Sequence, residues 1–401
     1  MMQRLKVLGG KLMLLGGALV AVLLVLELVV FRFILVPSDV LHNVSINGVV
    51  RYVPGSDVAF RHPDGSTTRV TINADGWNST WPDYKVVKTP GTLRVAVVGD
   101  SYVHGAFINT GEGFPEVMQR ELDAGGTKAE VYRFGMDGAP LSQYLWMLRK
   151  EVVQYRPDVV VVQLIHNDFD ESYRFLGTRY NSSFMKIGTD AAGAPTEIAP
   201  EDFEPGWPDL LRELNTFRYL YYSTNASLRL KSLVTSYVWG AKEEYAPEFI
   251  SSAVDIRNLA DLPKISWSTH YVMAEIKKLA TEEGFAVLFA MDGVREAIYE
   301  GKPLATYRVA ALNEIAGKVA KDLDLPFFDL QAVFAQDFAV HGRRLEHSFD
   351  WHWNKYANEL AGKAIVAALK ADPRTARRLT PPPSTVGALS VSEIQTDYVP
   401  Q

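Results

Sequence analysis

A serine and a distant acid–histidine pair could together perform nucleophilic catalysis. Ser101 follows a short apolar segment, within Gly-Asp-Ser, and Asp350 and His352 stand in the run Asp-Trp-His-Trp-Asn. A serine hydroxyl needs a base that accepts its proton, and the base needs a carboxylate that orients it. These residue types predict acyl transfer, with Ser101 as nucleophile, His352 as base and Asp350 as orienting acid. Gly-Asp-Ser alone would favour the simpler interpretation, a serine that only caps a helix.

Acyl transfer also needs hydrogen-bond donors for the developing oxyanion, and two residues are candidates. Gly138 follows the predicted strand Glu130–Phe134, and Asn167 follows the predicted strand Val159–Ile165. The carboxyl ends of parallel strands meet at one edge of a sheet. Gly138 and Asn167 are therefore predicted to lie beside Ser101.

The elements that must position these residues alternate between strand and helix. The predicted strands are Arg94–Val98, Glu130–Phe134, Val159–Ile165, Ala286–Met291 and Phe327–Leu330. Apolar residues at helical spacing predict helices near 114–122, 141–152, 272–280 and 309–319, and a last helix that Asn354 caps and Pro373 ends. The alternation predicts an α/β fold in which a parallel sheet is covered by helices on both faces.

The N-terminal segment predicts a membrane anchor. Arg4, Lys6 and Lys11 precede the apolar run Leu12–Phe31, whose twenty residues match a ~30 Å hydrocarbon core. No small-x-small cleavage site follows, which indicates an uncleaved signal anchor within residues 1–36. The basic flank favours a cytoplasmic N-terminus, with the remaining chain outside the cytoplasm. A buried core helix is the less favoured alternative.

Glu27 is an acidic residue within this apolar run. It could mark a polar partner inside the membrane. It could also reach water at the outer interface beside Arg32, about one turn away. The second interpretation is favoured.

Beyond the anchor, the sequence predicts three further regions. Residues 37–90 contain short alternating stretches and turn signals, which indicate a small β-rich collar. Residues 91–375 form the α/β domain, with an aromatic insertion at about 170–262 that is predicted to be partly helical and to cap the strand ends. The Pro-rich tail, residues 376–401, is predicted to be disordered.

Composition excludes several classes of function. The net charge of −6 argues against a nucleic-acid-binding surface. The chain has no cysteine, which excludes thiolate catalysis, cysteine-ligated metal and disulfides. No His, Asp or Glu grouping has a trustworthy metal spacing, so no metal or other cofactor is predicted. His104 and His347 are predicted to be ordinary loop histidines.

The four motifs, taken together, resemble the SGNH (GDSL-like) hydrolase family. Gly99-Asp100-Ser101-Tyr102, Gly135-x-x-Gly138, His166-Asn167-Asp168 and Asp350-x-His352-Trp353-Asn354 occur in the order of that family's four blocks. The resemblance covers about residues 88–371. It implies a flavodoxin-like three-layer α/β/α fold, the catalytic residues named above, and an oxyanion hole. That hole would comprise the Ser101 N–H, the Gly138 N–H and the Asn167 side chain.

Two segments before the domain look like a membrane-anchored bacterial branch of that family. They are Ile72–Trp77 and Lys88–Gly91. This likeness implies a single-pass protein of the bacterial inner membrane with a periplasmic catalytic domain. The Asp-x-His-Trp arrangement is similar to a branch with members that acetylate or deacetylate exopolysaccharide. The implied function is a serine esterase, deacetylase or O-acyltransferase that acts on acyl esters of an envelope glycan or lipid.

The sequence departs from the family pattern at three places. His166 stands where glycine is common, Arg133 replaces an asparagine, and Ala357-Asn358 replaces Gly-His. The first two could alter the oxyanion site, and the last affects packing. Of Trp351 and Trp353, one is predicted to pack in the core and the other to contact ligand, without a choice between them.

A second interpretation belongs to another class of protein. The domain could be a non-catalytic structural subunit of a membrane complex that retains the hydrolase fold as a scaffold. Gly16, Gly17 and Ala21 would permit close packing of the anchor against membrane-protein partners. The intact Ser101, Asp350 and His352 favour the enzyme, because a scaffold does not need them.

Overall fold

The computed structural model describes residues 2–174, 181–220, 259 and 261–379. Its strands, in chain order, are β1 (Asn43–Ile46), β2 (Val49–Tyr52), β3 (Asp57–Arg61), β4 (Thr67–Thr71), β5 (Leu93–Gly99), β6 (Ala129–Gly135), β7 (Val159–Leu164), β8 (Lys186–Thr189), β9 (Pro195–Ile198), β10 (Ala286–Met291) and β11 (Phe327–Asp329). Its helices are α1 (Met2–Val25), α2 (Ser101–His104), α3 (Phe114–Ala124), α4 (Leu141–Lys150), α5 (Trp207–Leu211), α6 (Asn215–Arg218), α7 (Leu262–Glu283), α8 (Arg295–Glu300), α9 (Ala310–Asp322), α10 (Gln331–His341), α11 (Lys355–Ala371) and α12 (Pro373–Ala376).

A five-stranded parallel sheet forms the centre of the domain, in the order β11-β10-β7-β5-β6. Val159 at the start of β7 pairs with Val95 on one side and Ala286 on the other. The five carboxyl ends therefore meet at one edge. β5, β6 and β7 are buried along their whole length, and the near-continuous apolar run of β7 is typical of a central parallel strand.

Two apolar layers cover the sheet, because alternate side chains of each strand point to opposite faces. Ala96 and Val98 contact the layer that contains α4, α7, α9 and the collar. Val95 and Val97 contact the layer that contains α3, α10 and α11. The predicted three-layer α/β/α fold with a parallel sheet is thus confirmed.

The predicted elements occur with shifted ends. α7 begins at Leu262, ten residues before the predicted start at 272. Asp261 caps the observed start by accepting a hydrogen bond from the Lys264 N–H. α10 was not predicted. Phe334 is its one fully buried side chain, so its sequence lacks the apolar stripe from which a helix is recognised.

The N-terminal helix is long and apolar enough to cross a membrane. Residues Gly9–Ile34, which include a π-helical end from Leu26, have a mean hydropathy of 2.8 in their most apolar window, and 6% of that window is buried. So little burial contradicts the alternative of a core helix. The segment is compatible with a single-pass anchor or a signal peptide.

The collar consists of two antiparallel hairpins, β1–β2 and β3–β4. Arg51 of β2 makes a buried bidentate ion pair with Glu151 at the end of α4, with both N–O distances at 2.6 Å. Such a pair fixes orientation as well as contact. The collar is therefore an integral part of the layer that contains α4.

The described part of the insertion packs along α4 and the N-terminal helix. Ser142 and Arg149 of α4 bond to Met185 and Glu197 beside and within the β8–β9 hairpin. α5 and α6 are helices of the insertion, which was predicted to be partly helical. Most of the predicted cap lies outside the described residues.

Glu27 has a polar partner in the insertion, and its depth relative to a membrane stays a prediction. Its carboxylate accepts hydrogen bonds from the backbone N–H groups of Asn215 at 2.7 Å and Thr216 at 2.8 Å. The sequence could not indicate this contact because it joins residues nearly 190 positions apart.

Candidate active site

Ser101 is the first residue of α2, immediately beyond the carboxyl end of β5. Asp100 caps this helix through a hydrogen bond from the Tyr102 N–H at 2.9 Å. Gly135 at the end of β6 lets the neighbouring strand pack against α2, since an added Cβ there would lie 2.0 Å from the His104 nitrogen. The local sequence thus fixes the serine at the edge where the strands end.

His352 and Asp350 meet Ser101 from a loop between α10 and α11. His352 Nε2 lies 2.8 Å from Ser101 Oγ, and His352 Nδ1 is hydrogen-bonded to Asp350 Oδ1. Asp350 Oδ1 also accepts the His352 N–H at 2.8 Å, which ties the carboxylate to its own loop. The structure therefore brings together all three residues that the sequence singled out for nucleophilic chemistry.

Opposing effects set the charge of the histidine. Burial disfavours its protonated form, but the hydrogen bond and charge of Asp350, with the charges of Asp100 and Asp137, outweigh burial and raise the His352 pKa. For Asp350, burial opposes ionisation, but its bonds and attraction to His352 lower the pKa. The arrangement favours an ionised acid beside a histidine that readily accepts a proton.

Asp100 is a second acceptor for the serine proton. Burial raises its pKa to about 6, and its Oδ2 accepts a hydrogen bond from Ser101 Oγ at 3.0 Å. The hydroxyl has one proton, which either Asp100 or His352 can accept. No function was predicted for Asp100 from the sequence, yet it lies in direct contact with the proposed nucleophile.

Both oxyanion candidates follow strand ends, as predicted. Gly138 has φ +71° in the turn that the Ala139 N–H closes onto the Met136 carbonyl, and the Met136 N–H bonds to the Gly99 carbonyl at 3.2 Å. Asn167 is half-buried in the turn after β7. That turn is held by Asp168, which accepts the Ile165 N–H at 2.8 Å.

The two departures near the oxyanion site are both buried. His166 bonds to Asn313 of α9 at 2.9 Å, and burial lowers its pKa to about 4, so it is a neutral packing residue. Arg133 pairs with Glu116 of α3 at 3.3 Å and bonds to the carbonyl of Asn78 in the collar. Arg133 therefore joins the sheet to the collar.

The structure distinguishes the two tryptophans. Trp353 is 1% exposed and packs among Phe114, Phe334 and Tyr102. Trp351 is 43% exposed, with its ring stacked beside His352 at a centroid distance of 5.9 Å. Trp353 is the packing residue, and Trp351 is available to a ligand.

A buried polar network fastens the loop of His352 and was not foreseen from the sequence. Arg295 of α8 pairs with Asp292 at 3.0 Å and donates to the Trp351 carbonyl and the Tyr102 hydroxyl. Asp292 also accepts the Trp353 indole N–H at 3.0 Å. One signal was present: Asp292 directly follows β10, as Gly138 and Asn167 follow other strands.

His104 is not an ordinary loop histidine, so that prediction was wrong. It ends α2, is buried, and its Nδ1 lies 2.6 Å from Asp137 Oδ1 and 3.0 Å from the Tyr52 hydroxyl. Tyr52 also accepts the Asp137 N–H at 3.1 Å. Through these bonds the collar supports the loop that contains Gly138. His347 does lie in a loop, where burial lowers its pKa to about 4.

The collar also reaches the aromatic surroundings of His352. Its His62 stacks on Phe349 at 4.5 Å, and Phe107 contacts His352 edge-on at 5.6 Å. Phe107 has φ +62°, a left-handed conformation that is rare for a bulky residue and is concentrated at functional sites. Within the part of the chain that the structure describes, no group of three or more His, Asp or Glu side chains could hold a metal ion.

Three solved structures are among those to which this chain is similar. An acetyl xylan esterase, AlAXEase, is 14% identical with a TM-score of 0.37, covering 69% of this chain and 99% of its own. A lipase/acylhydrolase from Enterococcus faecalis is 15% identical with a TM-score of 0.36, covering 70% and 96%. A lipolytic protein of the G-D-S-L family from Desulfitobacterium hafniense DCB-2 is 12% identical with a TM-score of 0.37, covering 69% and 99%.

No curated protein matches the sequence. The family model described as GDSL-like Lipase/Acylhydrolase matches residues 95–365, more than half of the chain, and includes the Ser101 and His352 motifs. The chain therefore belongs to the GDSL-like lipase/acylhydrolase family and is a serine hydrolase that acts on ester bonds.

Proposed function

We propose that the protein is a membrane-anchored, extracytoplasmic serine esterase or O-acyltransferase that acts on acyl esters of an envelope glycan or lipid. The observation that carries the catalytic part is the 2.8 Å separation of Ser101 Oγ and His352 Nε2, with Asp350 hydrogen-bonded to the opposite ring nitrogen. This is the geometry that a serine needs to become a nucleophile at neutral pH.

In the proposed reaction, Ser101 Oγ attacks the ester carbonyl while His352 takes the hydroxyl proton. The oxyanion accepts hydrogen bonds from the Ser101 and Gly138 N–H groups and the Asn167 amide. His352 then gives its proton to the departing alkoxide, which leaves an acyl group on Ser101. Water or a second hydroxyl attacks that ester, with His352 again taking and returning a proton. The product is a free acid or a new ester.

Replacing Asn167 with alanine should lower kcat by roughly 10²–10³-fold with little change in KM, because its bond forms mainly in the transition state. Steady-state kinetics on an aryl acetate would measure both constants. Asn47→Gly is a control, since Asn47 is an exposed amide with φ +56° in the turn between β1 and β2 of the collar. An equal rise in KM with unchanged kcat would contradict the assignment.

A saccharide substrate is supported by Trp351, whose exposed ring stands beside His352. Aromatic faces stack on the apolar faces of sugar rings. Trp351→Ala should raise KM for an acetylated oligosaccharide several-fold and leave kcat/KM for a small aryl acetate almost unchanged. Trp146→Ala is the control, because Trp146 bonds to Gly48 of the collar. Equal losses on both substrates would remove Trp351 from glycan recognition.

Arg295 is proposed as a positioning residue for the loop of His352. Arg295→Met should lower kcat more than it raises KM. The Trp351 carbonyl loses its hydrogen-bond donor, and the imidazole of His352 is then no longer held in a fixed position. Arg295→Lys should restore part of kcat. Asp292 would be left buried and unpaired, which costs stability, so the double variant Asp292→Asn/Arg295→Met serves as a control for folding. Normal kcat in a folded Arg295→Met variant would contradict this function.

The extracytoplasmic location can be tested directly because the chain has no cysteine. A cysteine at Val340, an exposed position on α10, should react with a membrane-impermeant maleimide in intact spheroplasts. Reaction only after lysis would place the domain in the cytoplasm and overturn this part of the proposal.

The choice between hydrolysis and transfer requires a panel of acylated glycans, lipids and simple esters, with the products identified by mass.

A further inference from the structure

The segment of residues 207–220 is attached to the N-terminal helix at the depth of Glu27. The Glu27 carboxylate accepts hydrogen bonds from the backbone of Asn215 and Thr216, and the ring of Phe31 stacks on Tyr219 at 4.6 Å. From Lys11, Glu27 lies roughly 24 Å along the helix at about 1.5 Å per residue, which is inside the outer edge of a core about 30 Å thick. The start of α6 is therefore carried to the membrane boundary by the anchor itself.

This segment exposes several large apolar side chains, with Trp207 at 74%, Leu210 at 71% and Leu214 at 45%. Three of its four charged residues are largely shielded and paired within the protein: Asp209 pairs with Arg212, and Arg218 with Asp39. The fourth, Glu213, contacts His42 and is exposed. Exposed apolar side chains beside mostly shielded charges are expected where a segment lies at a lipid surface.

Hydrogen bonds and an ion pair hold the chain between the N-terminal helix and the domain against both the collar and the segment. Arg61 of β3 donates to the Pro37 carbonyl at 2.7 Å. The Asp39 N–H donates to the Ala59 carbonyl of the same strand, and the Ala59 N–H donates to the Asp39 carboxylate, both at 2.9 Å. Arg218 lies 3.8 Å from Asp39. Anchor, collar and segment thus form one junction.

We propose that residues 207–220 are a membrane-surface segment, embedded in the headgroup and outer acyl-chain region of the leaflet through which the anchor emerges. The partner is the lipid bilayer. The segment has two acidic and two basic residues, so its attraction is hydrophobic and not electrostatic. The proposal rests on the proposed membrane anchor, and it means that the domain meets its substrate at a fixed height above the membrane.

The test uses the full-length chain, reconstituted in phosphatidylcholine vesicles, with single cysteines that bear an environment-sensitive fluorophore. A label at Leu210 should show blue-shifted emission and lose intensity when doxyl-labelled lipid is included. Leu23 in α1 is the membrane control, and Val340 on α10, in the opposite helical layer, is the aqueous control. High salt or added anionic lipid should leave the Leu210 signal unchanged, because the segment has no net charge.

A change at Glu27 tests the attachment. Glu27→Leu should make the Leu210 label more water-exposed while the Leu23 label stays quenched, and Glu27→Gln, which keeps one oxygen acceptor, should have a smaller effect. If the label at Leu210 emits like the label at Val340 while the label at Leu23 is quenched, the inference is wrong but the membrane anchor is retained. An unquenched Leu23 label would reject the anchor and, with it, the inference. Thermal melting would show that each variant is folded.

Discussion

Alanine at Ser101 or at His352 should each lower ester turnover by roughly 10⁴–10⁶-fold. Without the hydroxyl there is no nucleophile, and without the imidazole the hydroxyl keeps its proton. Because the two act as one unit, the double variant should be little slower than either single variant. Background hydrolysis assisted by the oxyanion donors would then account for the remaining rate.

A fluorophosphonate probe would test the same assignment without a natural substrate. It should label Ser101 in the wild-type chain and fail on Ser101→Ala. Ser348→Ala is a matched control, since it removes an exposed serine from the loop that contains His352, and it should label and turn over normally. Full labelling and turnover in Ser101→Ala would remove this serine from the mechanism. A wild type that neither labels nor turns over any ester in a broad panel would favour the structural subunit.

Asn at position 350 should lower kcat by roughly 10³–10⁴-fold, since the amide can hold His352 in the wrong tautomer while Ser101 remains in place. The pH profile gives an independent reading. Activity requires neutral His352, so kcat/KM should rise with pH through the pKa of this residue. In the wild type that pKa is raised above 6.5, against the effect of burial, mainly by Asp350.

Removing the carboxylate leaves burial to disfavour the charged imidazole, so the acid limb of the Asp350→Asn profile should move to lower pH. Asp337→Asn is the matched control, because Asp337 also pairs with a histidine, His341 on α10, at 3.0 Å. It should change neither kcat nor the profile. A large loss of kcat in Asp350→Asn with an unmoved profile would mean that Asp350 acts other than through His352.

The central sheet could be predicted because its signals are local. The almost wholly apolar run of β7 and the alternation of strands with helical stripes specify a parallel sheet without reference to distant residues. The rule that ligands lie at the carboxyl ends of such strands then grouped Ser101, Gly138 and Asn167 correctly at one edge. Residue chemistry alone linked them to His352, which is 251 positions from Ser101.

Some assignments needed the packed chain. Trp351 and Trp353 are the same residue type two positions apart in one loop, and only their surroundings make one a packing residue and the other exposed. His104 was predicted to be an ordinary loop histidine. Its bond to Tyr52 of the collar could not be seen in the sequence, because the two residues are 52 positions apart. α10 lacks an apolar stripe and was missed for that reason.

By itself, then, the sequence determined the fold class and the order of the motifs, and it predicted the residues for acyl transfer. Each follows from short-range periodicity or from the fixed chemistry of a side chain. The tertiary structure decided which distant residues meet, among them Arg295 with the Trp351 carbonyl and Glu27 with the backbone at the start of α6. Those contacts join segments far apart in the chain. Their energies depend on burial and on hydrogen-bond geometry, which exist only once the elements have packed.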